Sequence, residues 1–122
     1  MNKLIFLEHF GADNDCKILG LFEANDIESV IEYYSNLPGF SSNKNGFDAS
    51  KSVFSDNDFA FLLQIWREDD ERILTEEPFA SESAAKACLK KFFAENDMTD
   101  CAYQIEKYTV NRKYWIDGYI TC

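Results

Sequence analysis

The same succession of residue patterns runs twice along the chain. Residues 4–10 are apolar on both alternating faces, with Leu4, Phe6 and Phe10 on one and Ile5 and Leu7 on the other, as in an inner strand covered on both sides. His9 falls on the second face and Glu8 on the opposite one. Gly11, Ala12, Asp13, Asn14 and Asp15 carry turn chemistry, and residues 16–22 follow as the returning strand of a hairpin. With Asn25 or Asp26 as N-cap, Ile27, Val30, Ile31 and Tyr34 recur at helical spacing over 26–36, and Pro38-Gly39 stops the helix. Residues 47–54 read as a weaker strand.

The second half repeats this order. Residues 59–66 match 4–10, the acidic turn Glu68-Asp69-Asp70-Glu71 sits where 11–15 sat, and 72–77 takes the place of the second strand. Phe79 corresponds to Phe22, each just before a helix. The second helix, over 82–96, is capped by Ser81 and carries Ala84, Ala85, Cys88, Leu89, Phe92 and Phe93 on its apolar stripe, with Leu89 matching Ile31. Residues 103–110 close the unit. The pattern predicts one α+β domain of two tandem β-β-α-β units, 1–54 and 59–110, with 113–120 as an added terminal strand. Because each helix must bury its stripe against a sheet, the expected arrangement is a mainly antiparallel sheet with both helices on one face.

A chain of 122 residues can build one core without help from metals or disulfides, and its eleven Phe supply much of the burial. The four cysteines, Cys16, Cys88, Cys101 and Cys122, are too scattered for zinc-ligand pairs and read as free thiols. The apolar run near the N-terminus is too short for a signal peptide or a membrane span, so a cytoplasmic location is expected. A net charge of -10 argues against direct nucleic-acid or anionic-membrane binding, both of which need Lys and Arg to meet phosphates. It leaves a basic protein partner, or no partner at all.

Several segments resemble a family of small bacterial domains of unknown function. They are Leu7-Glu8-His9, the stretch Lys17-Ile18-Leu19-Gly20-Leu21-Phe22, Leu37-Pro38-Gly39-Phe40 with Phe47, and Tyr108 with Trp115-Ile116-Asp117-Gly118-Tyr119. The resemblance covers the first half and the last fifteen residues, and the middle stands as an extra unit within it. It implies a hairpin, a helix with a Leu-Pro-Gly-Phe stop and a closing aromatic strand in which Trp115 and Tyr119 share a face. It implies no activity and no catalytic residues.

Chemistry-bearing patterns are sparse. His9 is the single histidine, and a dyad with Cys16 would need an orienting third group that the sequence does not provide, so His9 reads as a core residue and the protein as a non-enzyme without cofactor or metal. The acidic turns lack the alternating oxygen ligands and mid-loop glycine of a calcium loop. No P-loop, dinucleotide fingerprint or nucleophile elbow is present. If the repeat holds, the two acidic turns project from one end of the sheet and focus negative potential there. The candidate partner-binding residues are accordingly Asp13, Asp15, Glu68, Asp69, Asp70 and Glu71, with Glu76 and Glu77 to one side. The expected role is an immunity or inhibitor protein that neutralises a basic bacterial toxin such as a nuclease. The alternatives are a nucleic-acid mimic that inhibits a host defence enzyme and a housekeeping domain.

Overall fold

The computed structural model describes residues 1–10, 16–37, 46–70, 72–97 and 99–111. Strand β1 (Asn2–Phe10) lies at the centre of a three-stranded antiparallel sheet between β2 (Cys16–Glu23) and β3 (Phe47–Ser55). Strand β4 (Phe59–Arg67) holds the same central place in a second antiparallel sheet, between β5 (Ile73–Phe79) and β6 (Cys101–Thr109). Helix α1 (Ile27–Ser35), entered through a 3-10 turn at Ala24–Asp26, and helix α2 (Glu82–Glu95) each run between the second and third strands of their unit. The fold is α+β, and the order and pairing of elements are the same in both halves of the chain. Phe22 opposite Ile5 and Phe79 opposite Phe61 occupy matching places. The helical match differs from the sequence reading. The buried residues are Val30 and Tyr34 in α1 and Ala85 and Leu89 in α2, so Leu89 stands in the place of Tyr34 and not of Ile31.

The strands do not join into one sheet with both helices on one face. They divide into two sheets stacked face to face, with a helix on each outer side. The reason lies in the central strands, which are apolar on both faces and so need cover on both. Leu4, Phe6 and Leu21 of the first unit meet Ala60, Leu62 and Val110 of the second in the inter-sheet core. On the outer faces Leu7 and Phe22 meet Val30 and Tyr34, while Leu63 and Ile65 meet Leu89. A full burial is worth about 1.5–3 kcal/mol per large apolar side chain, so the inter-sheet cluster is a principal tie between the two units.

Strand β2 lies beside β6, and β3 beside β5. The central strands run the same way, since Leu4 clusters with Ala60 near one end while Phe10 and Ile73 line one depression at the other. A two-fold axis parallel to the strands generates this arrangement. Val110 closes one edge through an isolated parallel bridge to Leu21, reinforced by the Asn111 N–H donating to the Leu21 carbonyl at 2.8 Å.

Local signals explain the element ends. The Ser81 Oγ accepts from the Ala84 N–H at 3.2 Å and caps α2 as expected, whereas Asp26 makes no side-chain cap bond to α1. The stripe of α2 is narrower than its sequence pattern, because Ala84 and Phe93 are exposed and the Phe93 ring rests at the edge against Tyr103. Gly20 adopts φ 149° beside a register shift between β1 and β2, a backbone state that side chains rarely adopt. The readings placed on Pro38, Gly39 and Phe40, and on the terminal strand at 113–120 with Trp115 and Tyr119, lie outside the described residues.

Candidate functional site

Glu8 is the charged residue in the middle of an apolar, doubly covered strand. It shares the inward face of β1 with Leu4 and Phe6, and its side chain is 2% exposed. A carboxylate taken out of water at such a place must be compensated by charge or hydrogen bonds. Lys51, on the facing edge of β3, places its Nζ 2.9 Å from Glu8 Oε1. The same ammonium stands 3.3 Å from Oε1 of Glu76, which reaches across from β5 of the other sheet. The second oxygen of Glu76 accepts from Gln64 Nε2 of β4 at 2.7 Å. Glu8 and Gln64 are equivalent positions on the two central strands, so the repeat has put a carboxyl and an amide at one level of the interface.

Two carboxyl groups thus share one ammonium between the sheets. Burial would push the Glu76 carboxyl up, but hydrogen bonding with Glu8 and Gln64 and the charge of Lys51 outweigh it and hold Glu76 below its ordinary value. Burial would likewise push Lys51 down, and the two glutamates hold it above its ordinary value instead. Tyr108 of β6, whose ring meets Phe6 edge-on at 5.2 Å, donates its hydroxyl to Glu106 at 3.1 Å. Burial and the charges of Glu106, Glu76 and Glu8 push its phenol well above its ordinary value. This group stays a donor at neutral pH.

Above the cluster opens a depression of about 220 Å³ lined by Glu8, Phe10, Lys51, Ile73 and Glu76. Its rim is apolar and half open to solvent, with Phe10 38% and Ile73 49% exposed. Phe10 is the last residue before the first acidic segment and Ile73 opens the strand after the second, so the strand ends that bound both acidic segments lie at one end of the sandwich.

Of the acidic residues singled out in the sequence, Glu68, Asp69 and Asp70 are exposed in the turn between β4 and β5. They also build that turn. Asp69 pairs with Arg67 at 3.4 Å and accepts the Asp70 N–H at 2.8 Å, and Asp70 accepts the Arg72 N–H at 3.0 Å. Glu76 does not face solvent but the inter-sheet cluster, its side chain 8% exposed. Glu77, on the other face of β5, accepts from the Cys88 thiol at 3.7 Å, and burial followed by the nearby Glu77 charge pushes that thiol up, away from reactivity. Asp13, Asp15 and Glu71 lie outside the described residues. His9 is 5% exposed, its ring 4.8 Å from that of Phe47 on the helix-covered face, and its cross-strand neighbours are Lys17 and Phe47, while Cys16 pairs with Phe10.

Sequence reasoning left Glu8 and Lys51 out of the site. The signal for Glu8 was present, a charge inside a strand whose two faces are both apolar. The signal for Lys51 was not, because only the stacking of the sheets brings it to Glu76. No family model, curated protein or solved structure matches the chain, so the site is read from its own geometry.

Proposed function

We propose that this chain is a non-catalytic acidic binding protein of the immunity or inhibitor kind, which neutralises a basic bacterial toxin such as a nuclease. The observation that carries the reading is the shared location of the strand ends bounding the two acidic segments, around a half-exposed apolar rim formed by Phe10 and Ile73. A surface of this kind pairs long-range attraction with a place for close contact. The charge of -10 steers a basic partner toward the protein, and the exposed apolar side chains give the encounter something to bury.

The test is affinity capture with the intact chain, identification of bound protein by mass spectrometry, and assay of the purified partner's toxic activity with and without the chain. The expected result is a basic partner whose activity falls to background at a one-to-one ratio. A partner whose activity is untouched, or whose surface is acidic, would count against the reading.

A further inference from the structure

The two sheets have four edge strands, and three of them are blunted. The register of β2 on β1 shifts between Leu7 and Glu8, beside Gly20, and that of β3 on β1 shifts between Phe6 and Glu8. The register of β5 on β4 shifts between Ile65 and Trp66, and β5 contains Pro78, which has no N–H to offer. Bulges and prolines are common means of keeping a sheet edge from pairing with another chain. Strand β6 has neither. It runs nine residues against β4, from Cys101 to Thr109, without a register shift, and among the described residues no strand pairs along its outer edge. Its charged side chains do not guard that edge. Lys107 folds back over its own sheet, with Nζ 4.3 Å from the centre of the Phe59 ring, and Glu106 accepts from Gln104 and Tyr108 of its own strand. Beside the edge the ring pair of Phe93 and Tyr103 stands 41% and 52% exposed.

We propose that the outer edge of β6 is a dimer interface, its partner the same strand of a second copy of this chain, in antiparallel register centred on Ile105. In that register the strand is its own complement. Tyr103 stands opposite Lys107 and Gln104 opposite Glu106, each twice by symmetry, with Ala102 against Tyr108 and Cys101 against Thr109. Opposed residues share a face, so a ring meets an ammonium and an amide meets a carboxylate. Centring on Glu106 or Lys107 would set like charges directly opposite, and centring on Gln104 would leave the last residues of β6 unpaired. The two three-stranded sheets then become one of six strands. Three strand spacings of about 4.8 Å put the two β4 strands, and the helices that lean on them, about 14 Å apart, enough for helices about 10–12 Å across. Phe93 and Tyr103 of both copies fill the space between. The antiparallel arrangement also copes with a charge of -10 on each copy. Cys101 lies at the acidic end, where the Glu68 N–H donates to the Asp100 carbonyl, and Thr109 lies at the other end of the strand. The two acidic ends therefore point away from each other, and both stay free for a basic partner whatever that partner is.

The test is sedimentation equilibrium of the full chain, with hydrogen exchange of the β6 amides followed by NMR. The expected result is twice the chain mass at about 100 µM protein, falling to the single-chain mass on dilution. Tyr103→Lys, at a half-exposed position, sets a lysine opposite Lys107 of the other copy and should weaken the dimer about tenfold or more, with circular dichroism unchanged. Adding Lys107→Glu to that variant turns the like pair into an opposite one and should recover the dimer to within about threefold of the parent. The outward N–H groups of β6 should exchange more slowly in the parent dimer than in the Tyr103→Lys monomer. A parent that stays monomeric at about 100 µM, a dimer undiminished by Tyr103→Lys, no recovery in the double variant, or β6 amides that exchange alike in dimer and monomer would each overturn the proposal.

Discussion

Replacing Lys51→Met removes the ammonium that both Glu8 and Glu76 contact and keeps most of the side chain's bulk. Deleting one partner of a buried ion pair typically costs about 3–5 kcal/mol, because the other charge is left buried. Lys51 is 21% exposed, so water offsets part of that loss, and a cost of about 2–3 kcal/mol at neutral pH is expected. For a chain of this size that lowers the melting temperature by about 8–12 °C. The pH dependence gives the sharper check. In the parent protein Glu76 is held below the ordinary glutamate value of 4.5, so its contribution is fully present above that value and is lost as pH falls through the lower folded value. In the variant Glu76 loses one of the charges that kept it ionised and protonates more readily. The gap between variant and parent therefore narrows as the solution is acidified from pH 7 toward pH 4. Urea unfolding followed by circular dichroism across that range measures it. Adding Glu8→Gln and Glu76→Gln to the Lys51→Met chain should restore most of the lost stability, since the uncompensated charges go with them. A variant as stable as the parent at pH 7, or a deficit that stays constant down to pH 4, would refute the reasoning.

Leu62→Ala, in the core between the sheets, should cost about 2–5 kcal/mol in urea unfolding, the range for a large-to-small change at a fully buried site. Gly20→Ala should destabilise by more than about 1 kcal/mol in the same assay. There φ is 149° and an added Cβ would stand 3.3 Å from the Phe22 ring. His9→Gln should leave partner neutralisation per folded molecule unchanged, measured as inhibition of the partner against the concentration of folded variant. A folded variant that has lost all activity would instead point to chemistry at His9.

The local fold was readable because the chain states it in local terms. Ser81 is followed three residues on by the N–H it caps, and the apolar alternation of residues 4–10 and 59–66 marks strands covered on both faces. What alternation does not say is which element supplies each cover. One sheet with two helices and two sheets with a helix outside each both bury the same residues at first sight, and only the second covers Leu4, Phe6, Ala60 and Leu62 as well as Leu7, Leu63 and Ile65. The helix stripe misled in a similar way. Ala84 and Phe93 have apolar side chains at helical spacing, but α2 buries Ala85 and Leu89 against its sheet, with Cys88 and Phe92 partly buried beside them. The inter-sheet cluster was the least readable part. Glu76 looked like one more acid in a charged stretch, and its inward turn depends on Gln64 across the ladder and on Lys51 of the other sheet. Such contacts join residues far apart in the chain, where spacing carries no information.

The most direct test of a basic-partner interface at the acidic end is the association rate of a variant in which Glu68, Asp69, Asp70 and Glu71 are all changed to their amides. With the captured partner in hand, on- and off-rates are measured for parent and variant by surface plasmon resonance over a series of salt concentrations. Steering by these charges predicts an on-rate about tenfold or more slower for the variant at low salt, with the two converging as salt screens the field. On-rates that coincide at every salt concentration would contradict it and place the interface away from the acidic end.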